Sequence, residues 1–199
     1  VGFYFIVHNT SVLDTNEDFN SAEIRDLLRE VSRRGHEIGI HPGYETYQNS
    51  EKFAYSVAEL KRILDEEGIV QDCLGGRQHF LRWDSAITPL LWEESGLTYD
   101  STLMFADVAG FRCGTARQFT MFDLVGKRAM DLKQRPLIAM ESTIISSRYE
   151  GLGYSEESLQ RFELLKSRSL KYGGCFTLLW HNSHLQNPDD LNVYKRLIS

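Results

Sequence analysis

The chain has 199 residues, with 22 Lys and Arg against 28 Asp and Glu, and therefore a formal net charge of −6. This acidic balance disfavours nucleic acid as a partner, because such binding depends on Lys and Arg neutralising phosphates. The hydrophobic fraction of 42% and the charged fraction of 25% are typical of a globular protein and exclude a disordered one. A chain of this length can bury a sizeable core, so we expect a single domain over residues 1–199.

The chain opens on the apolar run VGFYFIV, residues 1–7, which is typical of a buried strand. It is too short to cross a bilayer, and it lacks the basic start and small-residue cleavage site of a signal peptide. We therefore expect no membrane-spanning segment and a cytoplasmic protein. Because a central strand with nothing before it is unusual, we also expect a missing N-terminal strand ahead of Val1.

Strand and helix patterns alternate along the chain. Strands are predicted over residues 1–7, 37–41, 73–83, 97–103, 136–145 and 175–181. Helices are predicted from Asn20 or Ser21 to Gly35 and over residues 50–68, 85–95 and 155–170. Such alternation indicates an α/β fold with a parallel sheet or barrel and helices outside it. In these folds, polar residues at the carboxyl ends of the strands form the site.

Three histidines occur where such a site is expected. Two predicted strands end in His41 and His181, and a third contains His79. A single histidine is usually structural, but three at strand ends favour a functional site. His36 and His41 are five residues apart and so do not form the helical HExxH zinc motif. The three cysteines form no CxxC pair, which disfavours a thiolate zinc site.

Three segments together resemble a known family. GHEIGIH, residues 35–41, resembles the second motif of the polysaccharide deacetylases (carbohydrate esterase family four, the NodB-homology domain), in which it leads to a metal-binding histidine. LRW, residues 81–83, falls where that family has an arginine-bearing motif, and LLWHN, residues 178–182, resembles the last motif with its catalytic histidine. The resemblance extends from Phe3 to about His184 and is greatest to a divergent bacterial branch.

The resemblance implies a distorted (β/α) barrel and a divalent metal, most often zinc, held by Asp-His-His. The aspartates of the family's first motif would lie ahead of the apolar first strand. His41 corresponds to one metal ligand, and the position of the second histidine holds Glu45, which can also ligate zinc or a harder cation. His79 competes for that place, since its strand is expected to end near the same mouth.

The function implied is metal-dependent removal of an acetyl group from a carbohydrate, with His181 protonating the leaving group. The identity of the base is open. Arg82 and Asp100 are candidates for orienting the base and the histidine, respectively, with a structural ion pair as the alternative.

Further candidates and alternatives concern the substrate. Tyr44, Trp180 and Asn182 are candidate carbohydrate contacts, although packing in the core is the default interpretation for Trp180. One alternative function is that of a related carbon–nitrogen hydrolase acting on a small amide. Another is a catalytically silent carbohydrate-binding domain. The sequence leaves the sugar and the oligomeric state open.

Overall fold

The computed structural model describes residues 1–198 and shows a mixed α/β protein with a mostly parallel sheet. The α/β class expected from the sequence is confirmed. The chain divides into two compact units. The first contains Val1–Thr102 and Phe119–Gln134, and the second contains Leu103–Gln118 and, within the described chain, residues 135–198.

The first unit is built on a sheet with strand order β1-β2-β3-β4-β6-β5. Its strands are β1 (Gly2–Phe5), β2 (Glu37–Ile40), β3 (Gly75–Gly76), β4 (Tyr99–Asp100), β5 (Phe119–Asp123) and β6 (Arg128–Gln134). Its helices are α1 (Ala22–Arg33), α2 (Ser50–Glu66) and α3 (Thr88–Glu94). Neighbouring strands are parallel except β5 and β6, which form an antiparallel hairpin. The strand β1 lies at the edge of this sheet, and its Phe3 is exposed.

The core of the first unit forms where helix stripes cover the sheet. Ile38 and Ile40 of β2 are fully buried, because β2 is a central parallel strand and such strands are covered on both faces. The apolar stripe of α2 supplies Phe53, whose ring centroid lies 5.5 Å from that of the fully buried Trp92 in α3. The sequence periodicity that predicted α1 and α2 therefore marks the faces that they bury.

The strand predicted over residues 73–83 is wrong. Only Gly75–Gly76 pairs as a strand, and the chain then enters a short 3-10 turn at His79–Leu81. A Cβ on Gly76 would lie 1.8 Å from the carbonyl oxygen of Ile40, so β3 can approach β2 only with glycine there. The extended backbone ends before Phe80 and Leu81, which have φ values of 55° and 53°.

Other predicted boundaries also change. The strand predicted over residues 97–103 shortens to β4, because the chain leaves the ladder after Asp100. The stretch predicted as a strand over residues 136–145 is a short strand, β7 (Ala139–Met140), followed directly by a helix, α4 (Glu141–Ile145). The hairpin β5–β6 was not predicted.

The second unit contains the parallel strand pair β7 and β8 (Leu178–Leu179), with α4, α5 (Glu156–Lys171) and α6 (Pro188–Ile198). The helix predicted over residues 155–170 is confirmed as α5, whereas α6 was not predicted. Buried apolar residues of α4, α5 and α6 form the core of this unit with Ile138, which precedes β7: Ile144, Leu159, Phe162, Leu165, Val193 and Leu197.

We expect Ser155→Ala to destabilise the second unit by about 1 kcal/mol, the usual value of an N-cap. The Ser155 Oγ accepts a hydrogen bond from the Ser158 backbone N–H at 3.2 Å, and the acidic residues of the first turn favour the same end of the helix dipole. Urea unfolding followed by circular dichroism measures the change. The exposed Ser85→Ala is the control, and an equal loss in both variants would contradict the capping role.

No helix among residues 1–198 is long and apolar enough to span a membrane.

Candidate functional site

His41 and His79 lie close together in the first unit. His41 directly follows β2, and its Nδ1 hydrogen-bonds to the Arg77 carbonyl oxygen. His79 follows β3, the neighbouring strand, and its side chain is only 16% exposed. The centroids of the two imidazole rings are 5.0 Å apart. The parallel strands β2 and β3 thus bring together two histidines from distant parts of the sequence.

A buried carboxylate, that of Asp14, holds His79 in place. Its Oδ1 accepts hydrogen bonds from His79 Nδ1 at 2.6 Å and from the Tyr44 backbone N–H at 2.9 Å. Its Oδ2 accepts two from Thr10, through the backbone N–H at 2.8 Å and the hydroxyl at 2.9 Å. Burial alone would raise the pKa of Asp14, but these hydrogen bonds together lower it. Asp14 is therefore an ionised positioning group, which the sequence analysis missed.

These contacts fix which ring nitrogen carries the proton. A carbonyl oxygen can only accept, so His41 donates from Nδ1, and His79 likewise donates from Nδ1 to the ionised Asp14. In a neutral imidazole the lone pair then resides on Nε2. Metal-binding histidines typically donate their other N–H to a carboxylate or a backbone carbonyl in this way.

The two imidazoles fit a metal site as nitrogen ligands, but they form at most a partial ligand set. Each oxygen of Asp14 is already engaged in two hydrogen bonds. Within residues 1–198, no group of three or more His, Cys, Asp or Glu side chains is arranged to hold a metal ion.

Glu45 is half-exposed and forms an ion pair with Lys52. Its backbone N–H donates to the Thr10 hydroxyl at 3.1 Å. Glu45 as a metal ligand stays a prediction.

An aromatic cluster surrounds Arg82 beside the two histidines. The guanidinium carbon lies 4.0 Å from the ring centroid of Tyr44 and 3.9 Å from that of Tyr47, and Nη1 donates to the Tyr44 carbonyl oxygen at 2.9 Å. Phe80 contacts the same Tyr44, with ring centroids 5.4 Å apart and the rings nearly perpendicular. Arg82 therefore fixes the loop that carries Tyr44, through cation–π contacts and one hydrogen bond.

In the second unit, His181 contacts the buried carboxylate of Glu141. Glu141 follows β7 and His181 follows β8, and these strands pair in parallel, so both residues lie beyond the same end of the pair. His181 Nδ1 hydrogen-bonds to Glu141 Oε1, which also accepts from the Ser142 hydroxyl at 2.8 Å. Burial would raise the pKa of Glu141, but the hydrogen bond and the charge of His181 lower it overall. The Glu141–His181 pair has the form of an oriented acid–base group.

A second histidine, His184, lies between Glu141 and another buried carboxylate. Its Nδ1 is 3.8 Å from Glu141 Oε1 and 3.5 Å from Asp190 Oδ1. The hydroxyl of Tyr154 donates to Asp190 Oδ2 at 2.5 Å, and this hydrogen bond, together with burial, raises the pKa of Tyr154 to about 12. The sequence analysis assigned no role to these three residues.

Asp100, the candidate for orienting His181, is fully buried in the first unit. Its carboxylate accepts hydrogen bonds from the Thr102 backbone N–H, at 2.8 Å, and from the Thr102 hydroxyl. Burial raises the pKa of Asp100 to about 6, although these hydrogen bonds oppose the shift. The carboxylate that contacts His181 is that of Glu141.

The remaining candidates lie near His181 in sequence. The ring of Trp180 packs against Phe162 and Tyr194, with centroids 5.9 and 5.4 Å apart, so it belongs to the core of the second unit. Asn182 begins a short 3-10 turn and is exposed. Carbohydrate contacts by either residue stay predictions.

Neither a family model nor a curated protein sequence matches this chain.

Proposed function

We propose that this protein is a metal-dependent hydrolase that removes acetyl groups from a carbohydrate, on a distorted (β/α) barrel of the polysaccharide deacetylase type. The observation that carries the proposal is the His41–His79 pair, in which each imidazole is anchored through Nδ1. This anchoring is typical of histidines that bind a metal through Nε2. Nitrogen ligands favour zinc among the common divalent cations of hydrolases.

The residues of each unit would have a separate role in this chemistry. His41 and His79 would hold the cation through Nε2, and Asp14 keeps the His79 ring in place. A bound divalent cation polarises a carbonyl and lowers the pKa of its water. His181 would protonate the leaving amine or alcohol, because Glu141 orients its ring through Nδ1.

Two alternative functions predict different results in substrate assays. A catalytically silent carbohydrate-binding domain is supported by the partial ligand set among residues 1–198 and by the ion pair that holds Glu45. A carbon–nitrogen hydrolase acting on a small amide would use the same groups on another substrate. Acetate release from an N-acetylated chitotetraose, compared with ring opening of a small cyclic amide, separates these possibilities.

We expect His41→Ala and His79→Ala each to lose bound zinc without unfolding. His41 directly follows β2, which is held by the buried Ile38 and Ile40, and His79 lies in the short turn after β3. Zinc content by elemental analysis, with folding checked by circular dichroism, measures the effect. His36→Ala is the matched control, because it also removes an imidazole, but one whose ring contacts Phe3, with ring centroids 5.6 Å apart.

Unchanged zinc content in His41→Ala would remove His41 from the site. A wild-type protein that takes up no zinc or cobalt would favour the silent binding domain instead.

A further inference from the structure

Phe80 is an exposed aromatic residue on a strained backbone. The residue is 59% exposed, although Phe is among the residues most often buried. Its φ of 55° and ψ of 21° lie in the left-handed helical region, and the next residue, Leu81, also has a positive φ of 53°. Residues with a Cβ adopt this region only at a cost in conformational free energy.

The strain at Phe80 is not compensated by burial of its ring. In a core residue, burial of apolar surface would offset the cost, but Phe80 remains more than half exposed. Non-glycine residues held in this region cluster at ligand-binding and active sites, where the backbone conformation presents a side chain. The structure therefore gives Phe80 the properties of a group that contacts a ligand.

The neighbours of Phe80 define the chemistry of that ligand. The ring centroid lies 4.7 Å from that of His79 and 5.4 Å from that of Tyr44, whose ring in turn contacts Arg82. An apolar ring thus contacts an imidazole and a phenol, and the phenol in turn contacts a guanidinium. This combination suits a pyranose, which has an apolar C–H face and a rim of hydroxyl groups.

We propose that Phe80 is a platform on which a sugar ring of the substrate stacks beside the His41–His79 pair, and that it determines which residue of an oligosaccharide is presented there. The proposal rests on the proposed function, because it places a carbohydrate at this site. The left-handed conformation at Phe80 and Leu81 holds the ring out toward the ligand.

Isothermal titration with two probes, N-acetylated chitotetraose and O-acetylated xylotetraose, tests the platform without requiring turnover. Phe80→Gly is expected to weaken binding of the preferred tetrasaccharide by about tenfold, the value of one aromatic contact. Its melting temperature is expected not to fall, because glycine adopts a φ of 55° without strain. Phe80→Trp, which retains an aromatic face, is expected to keep the affinity within about threefold of wild type.

Two controls separate the aromatic ring from its strained backbone. Lys127→Gly relieves a positive φ of 52° in the β5–β6 turn, and Phe122→Ala removes a Phe that is 53% exposed on β5, at the far edge of the sheet from β2. Both variants are expected to bind as wild type does.

Wild-type affinity in Phe80→Gly, equal loss in Phe80→Gly and Phe80→Trp, or binding of neither tetrasaccharide by the wild type would overturn the platform. Binding that depends on Phe80 in a protein that releases no acetate would support the platform and overturn the proposed hydrolase. Acetate release by the wild type, together with unchanged oligosaccharide binding in Phe80→Gly, would support the proposed hydrolase and overturn the platform.

Discussion

Replacing His181 by Ala is expected to lower the turnover of an acetylated oligosaccharide by about 10²–10⁴-fold, the usual contribution of a general acid. The side chain is 47% exposed and makes its hydrogen bond to Glu141, so its loss removes little packing. We therefore expect the fold to be retained and zinc content to stay unchanged. Acetate release and elemental analysis on the same preparation measure both quantities.

A substitution of Glu141, whose carboxylate contacts His181, tests the catalytic role of His181 a second time. Glu141→Gln keeps the shape of the side chain but removes the negative charge that contacts His181 Nδ1. Turnover is therefore expected to fall in this variant as well, because the His181 ring loses the carboxylate that orients it. Ser183→Ala, an exposed change two positions from His181, is the control. A loss below about tenfold in His181→Ala would remove His181 from the mechanism.

The longer helices could be predicted from the sequence because their signals are local. The helices α1, α2 and α5 have apolar stripes at helical spacing, and Ser21 and Ser155 accept hydrogen bonds from their first turns. Each of these signals lies inside the element that it specifies.

The short strands could not be bounded in the same way. The strand β3 consists of Gly75–Gly76, and it exists because β2 and β4 lie against it on both sides. The apolar residues at positions 136–145 do not recur at a spacing that distinguishes a buried strand from a buried helix. The change from β7 to α4 could therefore not be predicted from the sequence. The hairpin was different, because Met130 and Leu132 alternate with exposed residues and could have indicated β6.

The candidate histidines of the two units were more predictable than the carboxylates that hold them. His41 and His181 follow apolar strands, which is where α/β proteins place functional groups. Asp14 lies in a polar loop, and its role depends on a hydrogen bond to a histidine 65 residues away, which no local pattern encodes. Glu141 had a signal, since it is a lone carboxylate in an apolar segment, and a buried charge needs a partner.

Asp14→Asn is expected to lower the free energy of unfolding by about 3 kcal/mol at pH 7, the cost of leaving buried donors without a charged acceptor. Four donors face the carboxylate: His79 Nδ1, the Tyr44 N–H and two groups of Thr10. An amide presents one acceptor oxygen and one NH₂ group, and the NH₂ group would face donors from which it cannot accept hydrogen bonds. Urea unfolding measures the loss, and Asp18→Asn, on the same loop, is the control because Asp18 accepts an exposed hydrogen bond from the Asn20 N–H.

The stability difference between wild type and Asp14→Asn should also depend on pH. Because the pKa of Asp14 is lowered in the folded protein, the carboxylate stabilises the fold above its unfolded pKa of about 3.9 and loses this contribution as the pH falls through the folded pKa. The two unfolding curves are therefore expected to approach each other below about pH 4. A difference that stays constant from pH 7 to pH 3 would show that Asp14 acts through packing and not through its charge.

The same variant tests whether Asp14 supports a metal ligand. Without the carboxylate, the His79 ring loses the group that fixes its tautomer, and zinc affinity is expected to fall by about 10–100-fold, the usual effect of removing such a partner. Zinc titration against a competing chelator, below the unfolding temperature of the variant, measures the affinity. Wild-type zinc affinity in a folded Asp14→Asn protein would contradict this role. The Asp14–His79 contact would then stabilise the loop alone, and zinc binding would not depend on how the His79 ring is oriented.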